Sequence, residues 1–475
     1  MTPSTERQQN DDTSNPIQSW IRRVVKVRPG EFVLLLWAAA YFFFLLCSYY
    51  VLRPLRDALG TAGGVEEIKW LFSCTLLAML VLNPVFSWLV SRYRRESFIP
   101  IMYGFFAFNI FIFYLLFRDS PDASQVYIGR TFYVWTAIFS LFIISVFWGL
   151  MVDLFDTEQA KRLFGFISVG GTLGAISGSS ITRFCIDTLG IGNLFLVSIA
   201  LLLMSVICMR AMTRRTRSWP RNAQQSTKKT TAHSEIIGGS AWSGIILIFK
   251  SPYLIGISLF MVIYGMTYTF LYLAKIEIGL DTIAERTDRI AFFANIDLFA
   301  NGLTILVELF ITSRLLTRVG IGGTLAILPG LSVIGFGILA WSLKDLNLAA
   351  QGAGSATMAA LVITGLESIR RASNYALARP AREALYTVLG REEKYKSKSF
   401  IDTFFFRGGD QVGVWSHALM SEVFLYSAAA ISLALVPLAG VWLCIALLLG
   451  RKQVALSHEQ EGRISRRDLN TSDSS

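Results

Sequence analysis

The sequence predicts an all-α membrane protein with twelve transmembrane helices in two six-helix halves. Three observations carry this. The 475 residues are 53% hydrophobic and only 16% charged, with a mean hydropathy of +0.51, an apolar excess that a water-soluble surface could not absorb. Apolar runs of about twenty residues, the length that crosses the hydrocarbon core, recur near 32–53, 68–90, 98–117, 127–151, 164–186, 191–210, 252–274, 290–312, 321–342, 352–373, 400–419 and 423–449. The longest polar break among them falls between the sixth and seventh.

The first run ends in YYVLRPLRDALG, Tyr49 to Gly60. Arg53 and Arg56 are three apart and share a helix face with Tyr49. Pro54 removes one backbone hydrogen bond and should bend the helix there. Ionisable groups at that depth either face a cavity or partner, or snorkel to lipid headgroups. The second run follows Glu66 and Glu67 and carries Lys69 early; Arg130 opens the fourth. The fifth reads Gly170, Gly174, Gly178, a double GxxxG that lets backbones approach closely and is expected to pack or slide between the halves. Arg183 and Asp187 in the same run have the spacing of an intrahelical ion pair.

In the seventh run Tyr264, Tyr268, Tyr272 and Lys275 form a stripe that could stack a ring or seal a gate. In the eighth, Asp297, Asn301, Thr304 and Glu308 keep to one face at 100° per residue. A polar stripe toward lipid would be costly, so this face points at protein or water. The tenth places Thr364, Glu367 and Arg371 on one face, with Glu367 and Arg371 spaced as an i,i+4 pair. The eleventh holds Arg407 and Asp410 beside a glycine pair, and the loop-plus-span REEKYKSKSFIDTFFFRGGDQVG echoes DTEQAKRLFGFISVGGTLG of the fifth.

Charge placement sets the expected topology. The net charge of +11 gathers in alternate loops: Arg22, Arg23, Lys26 and Arg28; Arg92, Arg94 and Arg95; Arg214, Arg215, Arg217 and Arg221; Arg314 and Arg318. The loops between them are nearly free of cations, which places both termini in the cytoplasm. The expected organisation is a cytoplasmic tail 1–30, a six-helix half 31–211, a basic cytoplasmic linker 212–250, a second half 251–450 and a cytoplasmic tail 451–475. No cleavable signal peptide is expected, because the first thirty residues are polar and no small-residue cleavage site follows the first span. Such a pattern describes topology rather than nucleic-acid binding. Cys47, Cys74, Cys185, Cys208 and Cys444 read as small core hydrophobes without metal-ligand spacing. His417 reads as a packing residue, and His233 and His458 fall in polar loops. No phosphate-binding Gly-x4-Gly-Lys-Ser/Thr loop, nucleophile elbow or metal constellation is present, so neither an enzyme nor a cofactor is expected.

The cations in or near the spans are Arg53, Arg56, Lys69, Arg130, Arg183, Lys275 and Arg407. Their excess suggests a positively lined cleft suited to an anion, and arginine forks suit phosphate or carboxylate. Two six-helix halves around a midplane site fit the major-facilitator arrangement.

The stretches YYVLRPLRDALG and EEIKWLF, then YVWTAIFSLFIISVFWGLMVDLFDTEQAKRLFG, YGMTYTFLYLAKIEIG and RPAREALYTVLGREEKYKSKSFIDTFFFRGGDQ, resemble the ATP/ADP antiporters of plastids and intracellular bacteria. The resemblance covers most of residues 40–415. It implies substrate-binding or gating roles for Arg53, Arg56, Asp57, Lys69, Arg382, Lys398, Asp402 and Arg407. The chain departs from the family where a glutamate is usual in the fourth and seventh spans; Thr136 with Ala137, and Tyr272, stand there. Together the expected substrate contacts are Arg53, Arg56, Asp57, Lys69, Lys275, Arg382 and Arg407. The expected coupling or gating residues are Asp297, Glu308, Glu367, Arg371 and Asp402. The leading expectation is a secondary transporter in a bacterial inner membrane that moves a small phosphorylated anion, nucleotide exchange first. Two others are a proton-coupled transporter of an unrelated metabolite or drug, and a membrane-embedded scaffold or sensor, which would have no need of inward charged stripes.

Overall fold

A computed structural model of the chain describes residues 31–92, 95–119, 121–155, 157–217, 243–344, 353–389, 397–398 and 400–472. Most of the expected basic linker, the N-terminal tail, His233 and the loops around 345–352 and 390–396 lie outside the described residues. Each of the twelve apolar runs coincides with a helix. These are α1 (Glu31–Gly60), α2 (Ile68–Arg92), α3 (Arg95–Asp119), α4 (Asp122–Leu154), α5 (157–189) and α6 (191–217), then α7 (Pro252–Thr282), α8 (Arg286–Phe310), α9 (Gly320–Lys344), α10 (Ala353–Ser373), α11 (Phe406–Ala418) and α12 (Ala428–Ser472). The helix Thr157–Arg217 is continuous except at Gly190, whose φ of 74° suits only glycine and turns α5 into α6. The 53-residue stretch from Leu163 to Arg215 is far too long for one crossing, so Gly190 replaces the expected loop with a tight reversal.

Among the described residues, eight helical stretches are long and apolar enough to cross a membrane. α2, α10 and α11 are not among them; α11 is only 13 residues long, and Glu367, Arg370 and Arg371 interrupt the apolar sequence of α10. Both α10 and α11 are also drawn out by π turns: Asn374–Ala378 continues α10 into a further helix, Arg379–Leu385, and Ile401–Phe405 and Leu419–Val423 flank α11. π turns widen a helix locally and often mark functional sites. α1 runs on through Pro54, and α12 continues well past residue 449, taking His458 into a helix rather than a loop.

Glycine seams hold the helices in pairs. A Cβ on Gly170 would lie 2.6 Å from the Ala39 carbonyl oxygen, one on Gly178 2.5 Å from that of Cys47, and one on Gly174 would collide with that of Phe43. The double GxxxG therefore locks α5 onto α1 within the first half of the chain and is not a sliding surface between halves. A matching seam joins α7 to α11, where a Cβ on Gly265 would sit 2.6 Å from the Phe406 oxygen and one on Gly409 would strike the Val262 carbonyl.

Residues 31–217 build one large apolar cluster that also takes in Tyr272, Leu273 and Ile276 of α7, Ile290, Ala291 and Phe293 of α8, and Val414 of α11. Two smaller clusters fill residues 248–449. Large apolar side chains such as Ile101, Phe105 and Phe108 on α3 face outward, as a lipid-contacting surface requires. Of the cysteines, Cys47 and Cys208 are buried as expected, whereas Cys74 and Cys444 lie on the outer surface. His417 is buried 5.5 Å from the Phe270 ring, a packing position.

Candidate functional site

A cavity of about 680 Å³ lies between the two parts of the chain, walled by α1, α2, α4 and α5 on one side and α7, α8, α10 and α11 on the other. α1 presents Tyr49, Tyr50, Arg53 and Arg56, as the spacing of its motif dictates. α7 presents Tyr264, Tyr268 and Tyr272, and α8 presents Asn301, Thr304 and Glu308, so both stripes turn inward. Tyr133 of α4, Arg371 of α10, Tyr375 and Arg379 just beyond it, and Arg407, Asp410 and Gln411 of α11 add to the polar lining. Among the described residues, five arginines and seven tyrosines thus face the space, against two carboxylates. A cleft of low dielectric with that balance concentrates anions, and the rings offer stacking faces.

Ionic bonds join the two parts at one end of the molecule, where α1 ends, α2 begins and α7 passes into α8. The Arg53 guanidinium donates to Asp297 Oδ1 at 2.7 Å, and Arg371 donates to the same oxygen at 2.5 Å. Asp57 accepts from its neighbour Arg56 at 2.9 Å, from the Tyr272 hydroxyl at 3.0 Å and from Lys275 at 2.8 Å. Asp57 and Lys275 are each 2% exposed. Lys69 reaches Glu422 at 2.6 Å, Ser73 donates to Gln411 at 3.1 Å, and Arg286 donates to Gln125 at 2.5 Å. The Trp70 and Trp415 rings meet edge to face at 5.3 Å beside Lys69. These bonds coincide with the segment where the apolar cluster crosses from one part to the other, so polar and apolar contacts close the same end of the cavity.

Of the seven expected substrate contacts, Arg53, Arg56 and Arg407 face the cavity. Asp57, Lys69 and Lys275 are instead the ion pairs of the closed end, because each finds an oppositely charged partner on the facing part. Arg382 stands in a separate cluster, 3.6 Å from Asp402 and bonded to Met261 Sδ at 2.9 Å, next to the Lys398–Glu383 pair at 2.5 Å. Among the expected coupling residues, Glu308 faces the cavity and Asp297 and Arg371 are bonded to each other. Glu367 is 1% exposed with Oε1 unpartnered. The i,i+4 pairing expected of Glu367 and Arg371 is absent because Asp297 takes the guanidinium. Arg183 lies over the Phe184 ring at 5.8 Å rather than on Asp187. Where the family's glutamates would stand, Ala137 and Tyr272 line the cavity and Thr136 bonds within its own helix to the Phe132 carbonyl at 2.7 Å.

Sequence reasoning missed Tyr133, Tyr375, Arg379 and Gln411. Arg379 lies beyond the expected end of the tenth span; its only signal was RPAR, a proline able to open a further helical turn.

A helical, multi-pass molecule with a charged cleft between its two parts is a secondary transporter by class. The chain belongs to the Major Facilitator Superfamily, whose profile matches residues 17–381. ADP,ATP carrier protein 1 of Chlamydia trachomatis serovar D is 24% identical over 482 residues, covering 89% of both chains. Its counterpart in Chlamydia muridarum is 23% identical over 481 residues with the same coverage. Among solved structures, the nucleoside transporter NupG superimposes with a TM-score of 0.54 at 12% identity, covering 89% of this chain and 98% of its own. A POT family transporter in complex with 5-aminolevulinic acid gives 0.58 at 10% identity, covering 88% and 96%. Both likenesses establish the fold.

Proposed function

We propose that the chain is a secondary active transporter of an anionic, phosphorylated solute, with ATP/ADP exchange the leading activity. The observation that carries this is the cavity itself: arginines from both parts of the chain converge on one space beside a wall of tyrosines. Guanidinium groups match phosphate oxygens in pairs, and tyrosine faces accept a nucleobase. The likeness to ADP,ATP carriers over 89% of the chain supports the same cargo. With both termini cytoplasmic, as the loop charges favour, the closed end faces outward across the cytoplasmic membrane of a bacterium. Transport then proceeds by rocking the two halves about the cavity: Arg53, Arg56 and Arg407 contact the solute, while Asp57–Lys275 and Lys69–Glu422 hold the outer side shut.

The test is uptake of labelled ATP into liposomes that hold the purified protein and contain ADP. Accumulation above protein-free liposomes that depends on internal ADP supports exchange; none, with or without a pH gradient, removes the nucleotide reading. A second reading, proton coupling, is favoured by one observation: the buried Glu367 carboxylate keeps an oxygen without a partner, a place a proton could occupy. Dependence of uptake on an imposed pH gradient, lost in Glu367→Gln, would select it.

A further inference from the structure

At the cavity wall lies a largely buried group whose charges do not balance. Arg53, Arg370 and Arg371 are 7%, 3% and 6% exposed, and the carboxylates beside them, Asp297 and Glu367, are 4% and 1% exposed. Glu367 is close enough to both Arg370 and Arg371 to act on their charge. Arg370 is held by neutral acceptors, the Thr267 carbonyl at 2.8 Å, the Thr267 hydroxyl at 2.6 Å and the Ser332 hydroxyl at 3.2 Å. Three guanidinium groups therefore share two carboxylates away from water, and an uncompensated buried charge is costly.

Two donors of the cavity lining have no acceptor: Arg371 Nη2 and Asn301 Nδ2. Both residues are 6% exposed and both belong to the cavity lining. Asn301 follows Asp297 by one turn of α8, and Asp297 is the residue on which Arg371 rests at 2.5 Å. A positive excess and two unmet donors at a cavity wall define a place for an anionic oxygen. The unmet atom of the neighbouring Glu367, Oε1, is an acceptor and lies off the lining, so it does not compete for such a ligand.

We infer that Arg371 and Asn301 form an anion subsite for a phosphoryl oxygen, and that an anion seated there draws Arg53 and Arg371 off Asp297. This rests on the anionic-solute reading above. The Arg53–Asp297 bond ties α1 to α8 across the cavity. Occupation of the subsite therefore loosens a strut of the closed end, and the empty transporter stays shut. That is the behaviour an exchanger needs, because only a loaded carrier should reorient.

The probes are ATP and inorganic pyrophosphate, titrated calorimetrically against the purified full-length chain. Asn301→Asp conserves size, gives Arg371 Nη2 an acceptor and places a negative charge in the subsite. Its affinity for both probes should fall about 30-fold or more through lost charge-assisted bonds, while its thermal midpoint holds or rises. Asp297→Asn keeps an oxygen for the arginines but releases their charge, and should bind pyrophosphate about tenfold more tightly. Spin labels on Ser124→Cys and Glu285→Cys, exposed positions flanking the Gln125–Arg286 bond, should show a longer distance on adding pyrophosphate, and no change in the Asn301→Asp background. Wild-type affinity in Asn301→Asp, or no gain in Asp297→Asn, overturns the subsite. An unchanged label distance in the protein with native Asn301 overturns its link to the strut. If native protein binds neither probe, the anionic-solute reading falls and the subsite with it, an outcome distinct from binding that both variants leave untouched.

Discussion

Replacing Asp57 by asparagine should release the closed end of the molecule. The carboxylate holds Lys275 at 2.8 Å and the Tyr272 hydroxyl at 3.0 Å across the junction of the two parts. Lys275 is 2% exposed, so the loss of its counter-charge strands a cation among the Tyr272 and Phe293 rings. Removing one partner of a buried ion pair costs about 3–5 kcal/mol. The pair exists only while α1 and α7 are together, so the penalty falls on the closed arrangement alone. At about 1.4 kcal/mol per tenfold, the balance shifts by roughly two to three and a half orders of magnitude toward arrangements in which that end is parted. Amide hydrogen exchange reads this directly in the purified protein, over residues 57–61 and 272–279. Asp57→Asn should speed exchange in both segments, and adding Lys275→Met should bring the rate most of the way back, because it removes the stranded buried cation. Wild-type rates in both segments would refute the argument. So would a uniform rise that includes the α7–α11 seam, since that would report unfolding instead.

Arg56→Ala should cut exchange at least about tenfold by removing a charge-assisted contact, with the protein still monodisperse. Lys69→Ala should also slow it, through loss of the Lys69–Glu422 bridge rather than of a substrate ligand, so nucleotide affinity measured by titration should stay near that of the native protein. Gly174→Leu should abolish recovery of folded protein on size exclusion, because any side chain there enters the Phe43 backbone; normal yield would contradict the α1–α5 seam. Tyr386→Phe removes a fully buried hydroxyl that has no partner and should raise thermal stability by about 1 kcal/mol; a lower midpoint would mean the hydroxyl is bonded.

Hydropathy and period carried most of the fold into the sequence. Each run of about twenty apolar residues became a helix because lipid leaves the backbone no other partner than itself. The cavity was half legible for the same reason: the α8 stripe Asp297, Asn301, Thr304 and the α7 tyrosines could not face lipid, so they had to face one another. Pairing was not legible. Arg53 meets a residue 244 positions away and Lys69 one 353 positions away, distances over which local periodicity says nothing. Spacing alone favoured Glu367 for Arg371, and tertiary proximity chose Asp297. The glycines of α5 announced a close approach but not its partner, which proved to be α1. Arg379 escaped because a π turn carried its helix past the point where hydropathy falls away.

The two glycine seams set how force travels through this molecule. Where carbonyl meets glycine without intervening side chains there is no compliant layer, so α1 with α5, and α7 with α11, behave as splinted rods. A helix of 30 residues such as α1 is about 45 Å long at 1.5 Å per residue. A tilt of about 10° about its middle moves each tip by about 4 Å in opposite senses, on that same length. Arg53 and Arg56 sit near one tip of this rod. A change in how they are held is thereby carried undamped to the far rim, some six to seven helical turns away by the same pitch. Stiffness in the seams is what makes a small charge rearrangement mechanically useful at a distance.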